Sequence, residues 1–352
     1  MILGSGPEQG AQYVGVLVYC DSPADASSCA NVDGTSGSTK FQDVYWRCAI
    51  TSLVSLRLHD DTVRLLVISN VDPRQRLVDQ IRLGDLMDHY RIEWLDVELT
   101  YRRSWATERW GNVLFVFDVL EWAVDNLDAQ DLLVLADADT LWTTSSEEVF
   151  STVSASGLMA YGIDYLPDHV INGLTRRDCA KLAADLGGDV TDATPFYGGE
   201  LYGFGMPEAR LLVDEFRRIW RILVSDEPQV CCRIVTEEHM FSLLFWMLRM
   251  TPYDAANGVV RRIATFLRWR DVRSSDAFLT VWHLPAEKEY GFRRAWRRVR
   301  SAQRGRGVLT ASNLEDCFDI RTRHSARILV DNAARLWKAG KRRLLRRRTA
   351  TA

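Results

Sequence analysis

Leu132-Leu133-Val134-Leu135-Ala136-Asp137-Ala138-Asp139-Thr140 runs five apolar residues straight into two carboxylates one residue apart. The apolar run is short and reads as a buried strand, with both acids on the turn that leaves it. In an open α/β sheet, ligands bind beyond the carboxyl ends of the strands. Two hard oxygen ligands at such a point can hold Mn²⁺ or Mg²⁺ against a diphosphate, and the metal offsets charge building on a leaving group. An acidic turn that only caps a strand and starts a helix would read the same way.

Upstream, Tyr13-Val14-Gly15-Val16-Leu17-Val18-Tyr19 is a β-branched and aromatic run that ends in Cys20-Asp21-Ser22-Pro23 and reads as a first strand entering a loop. The Ser-, Gly- and Asp-rich stretch to about Lys40 reads as a long loop. Helical spacing then covers residues 43–58. Val63 to Asn70 is a second strand, closed by Asp72-Pro73. A helix is expected over 75–86, a weaker strand over 92–99 and a strong helix over 112–127. Strands alternating with helices imply an α/β fold, a mostly parallel sheet flanked by helices. Downstream, short strands are expected at 158–163 and 201–206, around a polar insertion. Helices should span 207–224, with Pro207 in the first turn, and 237–250, with a last strand at 278–282. No internal repeat is visible.

Bulk properties narrow the classes. The chain has 352 residues, and none of its apolar stretches approaches the roughly 20 residues of a membrane span. The first residues, Met1 to Gln12, are polar and Gly-rich, which does not suggest a secretory signal. The 7 cysteines stand at irregular positions without a C-x-x-C pair. Neither a zinc knuckle nor a thioredoxin-like site is indicated, and adjacent Cys231 and Cys232 read as core residues. A reduced, cytoplasmic protein is expected. No Walker-type loop, G-x-G-x-x-G turn or G-x-S-x-G elbow occurs, which argues against a P-loop kinase, an NAD-binding enzyme and an α/β-hydrolase.

In this context the strand, Asp137-Ala138-Asp139-Thr140 and the following Leu141-Trp142 resemble the nucleotide-sugar glycosyltransferases of the GT-A, Rossmann-like fold. In that family the strand-end D-x-D binds the metal and the donor. The order of elements in the first half matches as well, and the resemblance covers roughly Tyr13 to Lys288. Phe196-Tyr197-Gly198-Gly199-Glu200-Leu201-Tyr202 looks like the small-residue segment lining the sugar pocket. Gly198 and Gly199 would let the backbone approach a ligand, and Glu200 can accept from sugar hydroxyls. A Gly-rich hairpin with an exposed Glu is the plainer alternative. Thr236-Glu237-Glu238-His239 opens an apolar helix, with Thr236 a candidate N-cap and the acids suited to the helix dipole. In the family an acid here stands beside the acceptor, where it can take the acceptor's proton or orient it. Glu238 is preferred over Glu237 for that role, and His239 is as readily packed as active.

Val281-Trp282-His283-Leu284-Pro285-Ala286-Glu287-Lys288 resembles the His-plus-Lys segment of the glycogenin and bacterial galactosyltransferase group. There the His completes the metal site and the Lys meets the diphosphate. The family pattern has a Gly between the two and the Lys one position later, so this segment is a shortened version. Donor contacts are also expected from Tyr19 at the end of the first strand, Asp72 after the second and Arg109 before the long helix. Each of these three is equally readable as an ordinary surface residue.

Net charge is −3, but from Phe292 onward 18 Lys or Arg stand against 4 Asp or Glu. Arg293-Arg294-Ala295-Trp296-Arg297-Arg298 and Lys341 to Arg348 interleave cations with Trp and Leu. A single catalytic domain over 1–291 is expected, with a basic, helical C-terminal extension over 292–352. Such an extension could pack on the acidic body or lie on an anionic membrane surface, and no nucleic-acid reading module accompanies it. The implied reaction moves a sugar from a nucleoside-diphosphate donor to a small-molecule or glycan acceptor. A sugar-phosphate nucleotidyltransferase would need a Gly-rich, basic loop after the first strand, where this chain has Cys20-Asp21-Ser22-Pro23. A non-catalytic membrane-surface protein on the same fold would be expected to lose metal ligands, and none is visibly lost.

Overall fold

A computed structural model describes residues 10–28, 32–102, 111–225, 230–252, 256–321 and 326–337. In chain order the strands are β1 (Gln12–Leu17), β2 (Arg64–Ser69), β3 (Leu77–Val78), β4 (Ile81–Arg82), β5 (Ile92–Asp96) and β6 (Leu132–Ala136). They continue with β7 (Thr140–Trp142), β8 (Leu158–Gly162), β9 (Tyr197–Gly205), β10 (Val260–Arg262) and β11 (Val281–His283). The helices of the first half are α1 (Thr39–Arg57), α2 (Leu83–Tyr90), α3 (Phe115–Asn126), α4 (Glu147–Ser156) and α5 (Arg176–Asp185). Those of the second half are α6 (Met206–Leu223), α7 (Glu237–Met247), α8 (Ala256–Val259), α9 (Gly291–Gln303) and α10 (Ala311–Glu315). Residues 326–337 form a further helix.

The central sheet has the order β5-β2-β1-β6-β9-β8. Its first four strands are mutually parallel, and β9 and β8 join antiparallel. The result is a mixed α/β fold with a mostly parallel sheet flanked by helices. Strands buried on both faces explain the unbroken apolar runs of β1, β2 and β6. One face packs α1, with Trp46, Trp142, Trp282 and Trp296 fully buried in that layer. The other packs α3, α6 and α7 around Phe117, Phe216 and Phe241. Phe117 and Phe216 stack at 4.0 Å between centroids.

Several boundaries differ from the sequence expectation. The 75–86 segment is not one helix: it makes the β3–β4 hairpin first, and only Leu83–Tyr90 is helical. Asp79 and Gln80 at its tip take positive φ, which breaks the helix that their neighbours favour. The last strand is Val281–His283 rather than 278–282, because Ser274–Phe278 winds into a 3₁₀ turn. Thr236 does not cap α7 through its side chain; its Oγ1 meets His239 Nδ1 at 2.8 Å instead. The short β7 and helices α4 and α5 were not foreseen.

Position fixes what the site receives. The carboxyl ends of β2, β1 and β6 lie along one edge, with Leu17 beside Ile68 and Val16 beside Ala136. Antiparallel β9 brings its first residues to that same edge, with Leu201 opposite Ala136. A second sheet, β10-β11-β7, crosses just beyond it, placing Arg262 beside His283 and His283 beside Thr140.

One buried acid outside the site gives a pH signature. Burial pushes the Asp118 carboxyl up to about 6, against the backbone amides of Thr100 and Tyr101. An unfolded Asp titrates near 3.9, so the folded state binds this proton more tightly. Its contribution to stability is full below about pH 4 and is lost as pH rises through about 6. In Asp118→Asn the melting temperature relative to the parent should therefore improve between pH 4.5 and pH 7, as thermal melts would read. A flat difference would exclude the assignment.

Candidate active site

At that edge a cavity of about 520 Å³ opens, lined by residues from both sheets. Asp137 leaves β6 with its amide donating to the Glu200 carbonyl at 3.1 Å, and Thr140 folds back onto the Asp137 carbonyl. The turn thereby aims both carboxylates at β11. Asp137 Oδ2 lies 3.2 Å and Asp139 Oδ2 3.4 Å from His283 Nε2. Leu284 N donates to the Asp139 carbonyl at 2.9 Å, pinning the end of β11 to the acidic turn.

Ligand atoms from Asp137, Asp139 and His283 all fall within 4.8 Å of one another. Asp139 is fully buried and His283 nearly so, whereas Asp137 is half-exposed toward the cavity. Asp139 Oδ1 and both His283 ring nitrogens are buried without a hydrogen-bond partner among the described residues. Buried polar atoms are rarely left so, and an unfilled carboxylate–imidazole set fits a divalent cation. Burial alone would lower the His283 pKa, but Asp139 and Asp137 outweigh it and hold the ring well above its ordinary value.

Lys288 is buried beside the same turn, its Nζ 2.6 Å from Asp139 Oδ2 and 5.5 Å from the centre of the Tyr45 ring. Burial would raise the Asp139 carboxyl, yet Lys288 and His283 together hold it below the usual carboxylate range. Lys288 also lines the cavity, so the shortened His-to-Lys spacing still brings the ammonium to the site.

Glu200 does not line the cavity. It is fully buried behind the wall, with Oε1 2.5 Å from Arg262 Nε and 3.5 Å from His283 Nδ1. The expectation that it meets sugar hydroxyls is therefore corrected, because the β9 pleat turns it inward. Burial would lift its carboxyl, but Arg262 and His283 hold it below its ordinary value. Gly198 serves this arrangement rather than a ligand, since a Cβ there would stand 2.0 Å from Glu200 Oε2. Gly198→Ala should cost about 2 kcal/mol of stability by overpacking, measured in denaturant melts; a neutral result would mean that the Glu200 side chain moves freely. Gly199 does line the cavity, with its amide donating to Glu238 Oε1 at 3.3 Å.

Glu238 and Glu237 both border the cavity at the start of α7. Glu238 is held by three donors: Arg262 Nη2 at 3.0 Å, Asn172 Nδ2 at 3.2 Å and the Gly199 amide. Burial and the nearby Glu200 raise its pKa despite Arg262. Glu237 is the more accessible of the two. His239 is packed: burial takes its pKa down to about 4, and Phe196 meets it edge-on.

Of the three expected donor contacts, Tyr19 lines the cavity, with its hydroxyl accepting from Arg102 at 2.8 Å. Asp72 does not reach it; the side chain is exposed and accepts from the Arg74 amide. The β2 end is closed instead by Asn70, whose side chain bonds both polar groups of the Cys20 backbone. Arg109 lies outside the described residues. Sequence reasoning missed Arg262 and Asn172. The only available signal for the first was a cation in a short apolar-flanked strand, and for the second none beyond an Asn before a Gly.

No family model matches the sequence, and no curated protein matches it. Among solved structures, an active-site mutant of LgtC is similar over 77% of this chain and 86% of its own, at 10% identity and a TM-score of 0.46. Mouse xyloside xylosyltransferase 1, in its apo form, is similar over 78% of this chain and 98% of its own, at 11% identity and a TM-score of 0.46. The glycosyltransferase GlyE of Streptococcus pneumoniae is similar over 88% and 63%, at 9% identity and a TM-score of 0.40. These likenesses are too distant to assign a function, which rests on the site itself.

Proposed function

We propose that the chain is a metal-dependent glycosyltransferase that moves a sugar from a nucleoside-diphosphate donor to a hydroxyl acceptor. The observation that carries this reading is the Asp137–Asp139–His283 set on a cavity wall, with Lys288 beside it and acids across from it. Asp137, Asp139 and His283 would hold the divalent cation, which supplies charge to offset a diphosphate leaving group.

The chain's own residues do the rest. Tyr19, at the end of β1, is assigned to the nucleoside. Lys288 adds a fixed positive charge where the phosphate departs, in a buried setting that strengthens it. In the reaction the anomeric carbon's bond to the phosphate oxygen breaks and a bond to the acceptor oxygen forms. The acceptor's proton passes to a carboxylate or to the departing phosphate. Glu237 is assigned to the acceptor, being the more accessible acid. Glu238, tied to three donors, is assigned to orienting it, which reverses the order favoured by sequence alone. Glu200 orients the His283 ring from behind, as outer carboxylates do for metal-bound imidazoles.

The test is a thermal-melt panel of nucleoside diphosphates and their sugars, with and without Mn²⁺. A metal-dependent upward shift with one nucleotide is expected, since ligands that bind only the folded state stabilise it. No shift with any member at saturating metal would remove the donor site. A shift with nucleoside triphosphate and sugar 1-phosphate instead would favour a nucleotidyltransferase.

A further inference from the structure

Cys231 and Cys232 do not fill the core. Cys231 is exposed and Cys232 half-buried, in a stretch that is neither helix nor strand. Neighbouring side chains point to opposite faces of a strand and diverge around a helix. Here both sulfurs turn the same way and stand 3.8 Å apart. Two anchors on α5 set this bend. The Cys231 amide donates to Asp185 Oδ2 at 2.7 Å, and the Cys232 thiol donates to the Asp178 carbonyl at 3.7 Å. Asp178 and Asp185 lie about two turns apart along α5, so one helix holds both halves of the dipeptide.

The pair is also joined to the candidate site. From Cys232 the chain passes through the fully buried Ile234 to Thr236 and then Glu237 and Glu238, the first residues of α7. Val235, between them, packs against the turn at Asn172 and Gly173, where a Cβ on Gly173 would stand 3.9 Å from Val235 Cγ2. Asn172 and Gly173 both take positive φ, and the backbones of Ile171 and Leu174 bond each other across them. That is a two-residue hairpin tip, and it presents Asn172 Nδ2 to Glu238 Oε2 at 3.2 Å. A shift at the thiols thus has a short route, through one buried residue and one turn, to a carboxylate on the cavity wall.

We propose that Cys231 and Cys232 form a thiol-modification site that takes a low-molecular-weight disulfide of the glutathione class and closes to a disulfide between the two neighbours. The exposed Cys231, as its thiolate, attacks one sulfur of the oxidant and releases one glutathione thiolate, leaving a mixed disulfide. The Cys232 thiolate then attacks the Cys231 sulfur and expels the second glutathione. The two cysteines give up two protons and two electrons, and the oxidant leaves as two molecules of glutathione. Burial raises both thiols, so each attack draws on a small thiolate fraction. Adjacent Cα atoms are about 3.8 Å apart, less than most disulfides prefer, so the bond is readily reduced again. Forming it brings the sulfurs to about 2.0 Å, which moves Cys232 off the Asp178 carbonyl and loosens the strip leading to α7.

The folded full chain is incubated with glutathione disulfide, and the peptide that contains both cysteines is weighed. It should have lost two hydrogens and carry no glutathione, and dithiothreitol should restore the parent mass. Phenylarsine oxide, which captures paired thiols, should bind the reduced chain in equal amount and block the oxidation. Cys231→Ser and Cys232→Ser should each abolish the two-hydrogen loss and the arsenical capture. Amide exchange over residues 231–238 should quicken at least about fivefold on oxidation, with β6 unchanged. Glutathione retained on Cys231, a bond from Cys232 to the buried Cys179, or no reaction of the folded chain overturns the site. Unchanged exchange over 231–238 overturns its connection to α7. These readouts use no donor or acceptor, so they stand or fall apart from the transfer reaction.

Discussion

Asp139→Asn should lower sugar transfer by at least about a thousandfold and abolish the Mn²⁺-dependent thermal shift with the nucleotide. The substitution keeps the shape of the side chain while deleting the charge that Lys288 and His283 share. In the structure Asp139 is fully buried, ion-paired to Lys288 at 2.6 Å and within 3.4 Å of His283 Nε2. Removing one preorganised electrostatic group at a reacting phosphate typically costs two to three decades, and here cation binding is lost with it. The buried Lys288 is also left without its partner, which costs stability of its own. Turnover and melts with and without Mn²⁺ separate the effects. A variant retaining activity within about tenfold would mean that Asp139 is a structural acid. Lys288→Met is the companion: it should impair transfer while leaving the metal-dependent shift in place, because the three ligand atoms remain.

Arg262→Met should destabilise the fold by about 3 kcal/mol and raise the pH at which Glu238 ionises further. One guanidinium serves two carboxylates, at 2.5 Å for Glu200 and 3.0 Å for Glu238. Breaking a buried pair leaves an uncompensated charge, a loss of about 3–5 kcal/mol when both members are fully enclosed. Arg262 is 38% accessible, which places the effect at the lower end. Without the cation the two glutamates repel and one takes up a proton. Denaturant titrations at pH 6 and pH 8 would measure both consequences, with the larger loss at the higher pH, where both acids prefer to be charged. Loss of less than about 0.5 kcal/mol at both values would show that solvent or the other donors already compensate the pair.

The sheet was legible because its signal is local. β6 was delimited to the residue, since a parallel strand covered on both faces must be apolar throughout and polar where it emerges. The D-x-D turn followed from that boundary, and α7 and α6 from their apolar stripes and Pro207. The 75–86 segment misled, because its apolar spacing suits a helix while the positive φ of Asp79 and Gln80 closes a hairpin. Glu200 misled for a different reason. A Gly-Gly-Glu segment reads as exposed, and only the pairing of β9 with β6 shows that its carboxylate points behind the site.

By itself the sequence determined the alternation of strands and helices up to β6 apart from the β3–β4 hairpin, the point where two carboxylates leave the sheet, and the segment carrying His283 and Lys288. These are properties of runs a few residues long, fixed by burial and periodicity. Tertiary structure alone decided which distant groups meet there. Arg262, His283 and Thr140 become neighbours across three short strands spread over more than a hundred residues, because β10, β11 and β7 pair into one small sheet. It also decided the outward face of helix 326–337, which the sequence left open between packing on the acidic body and lying on a membrane surface. Hydrogen bonds from Arg335 and to Asn332 turn the polar face inward and leave the apolar face in solvent. Pairing and orientation of this kind depend on which partners satisfy buried polar groups, and that information is spread across the whole chain.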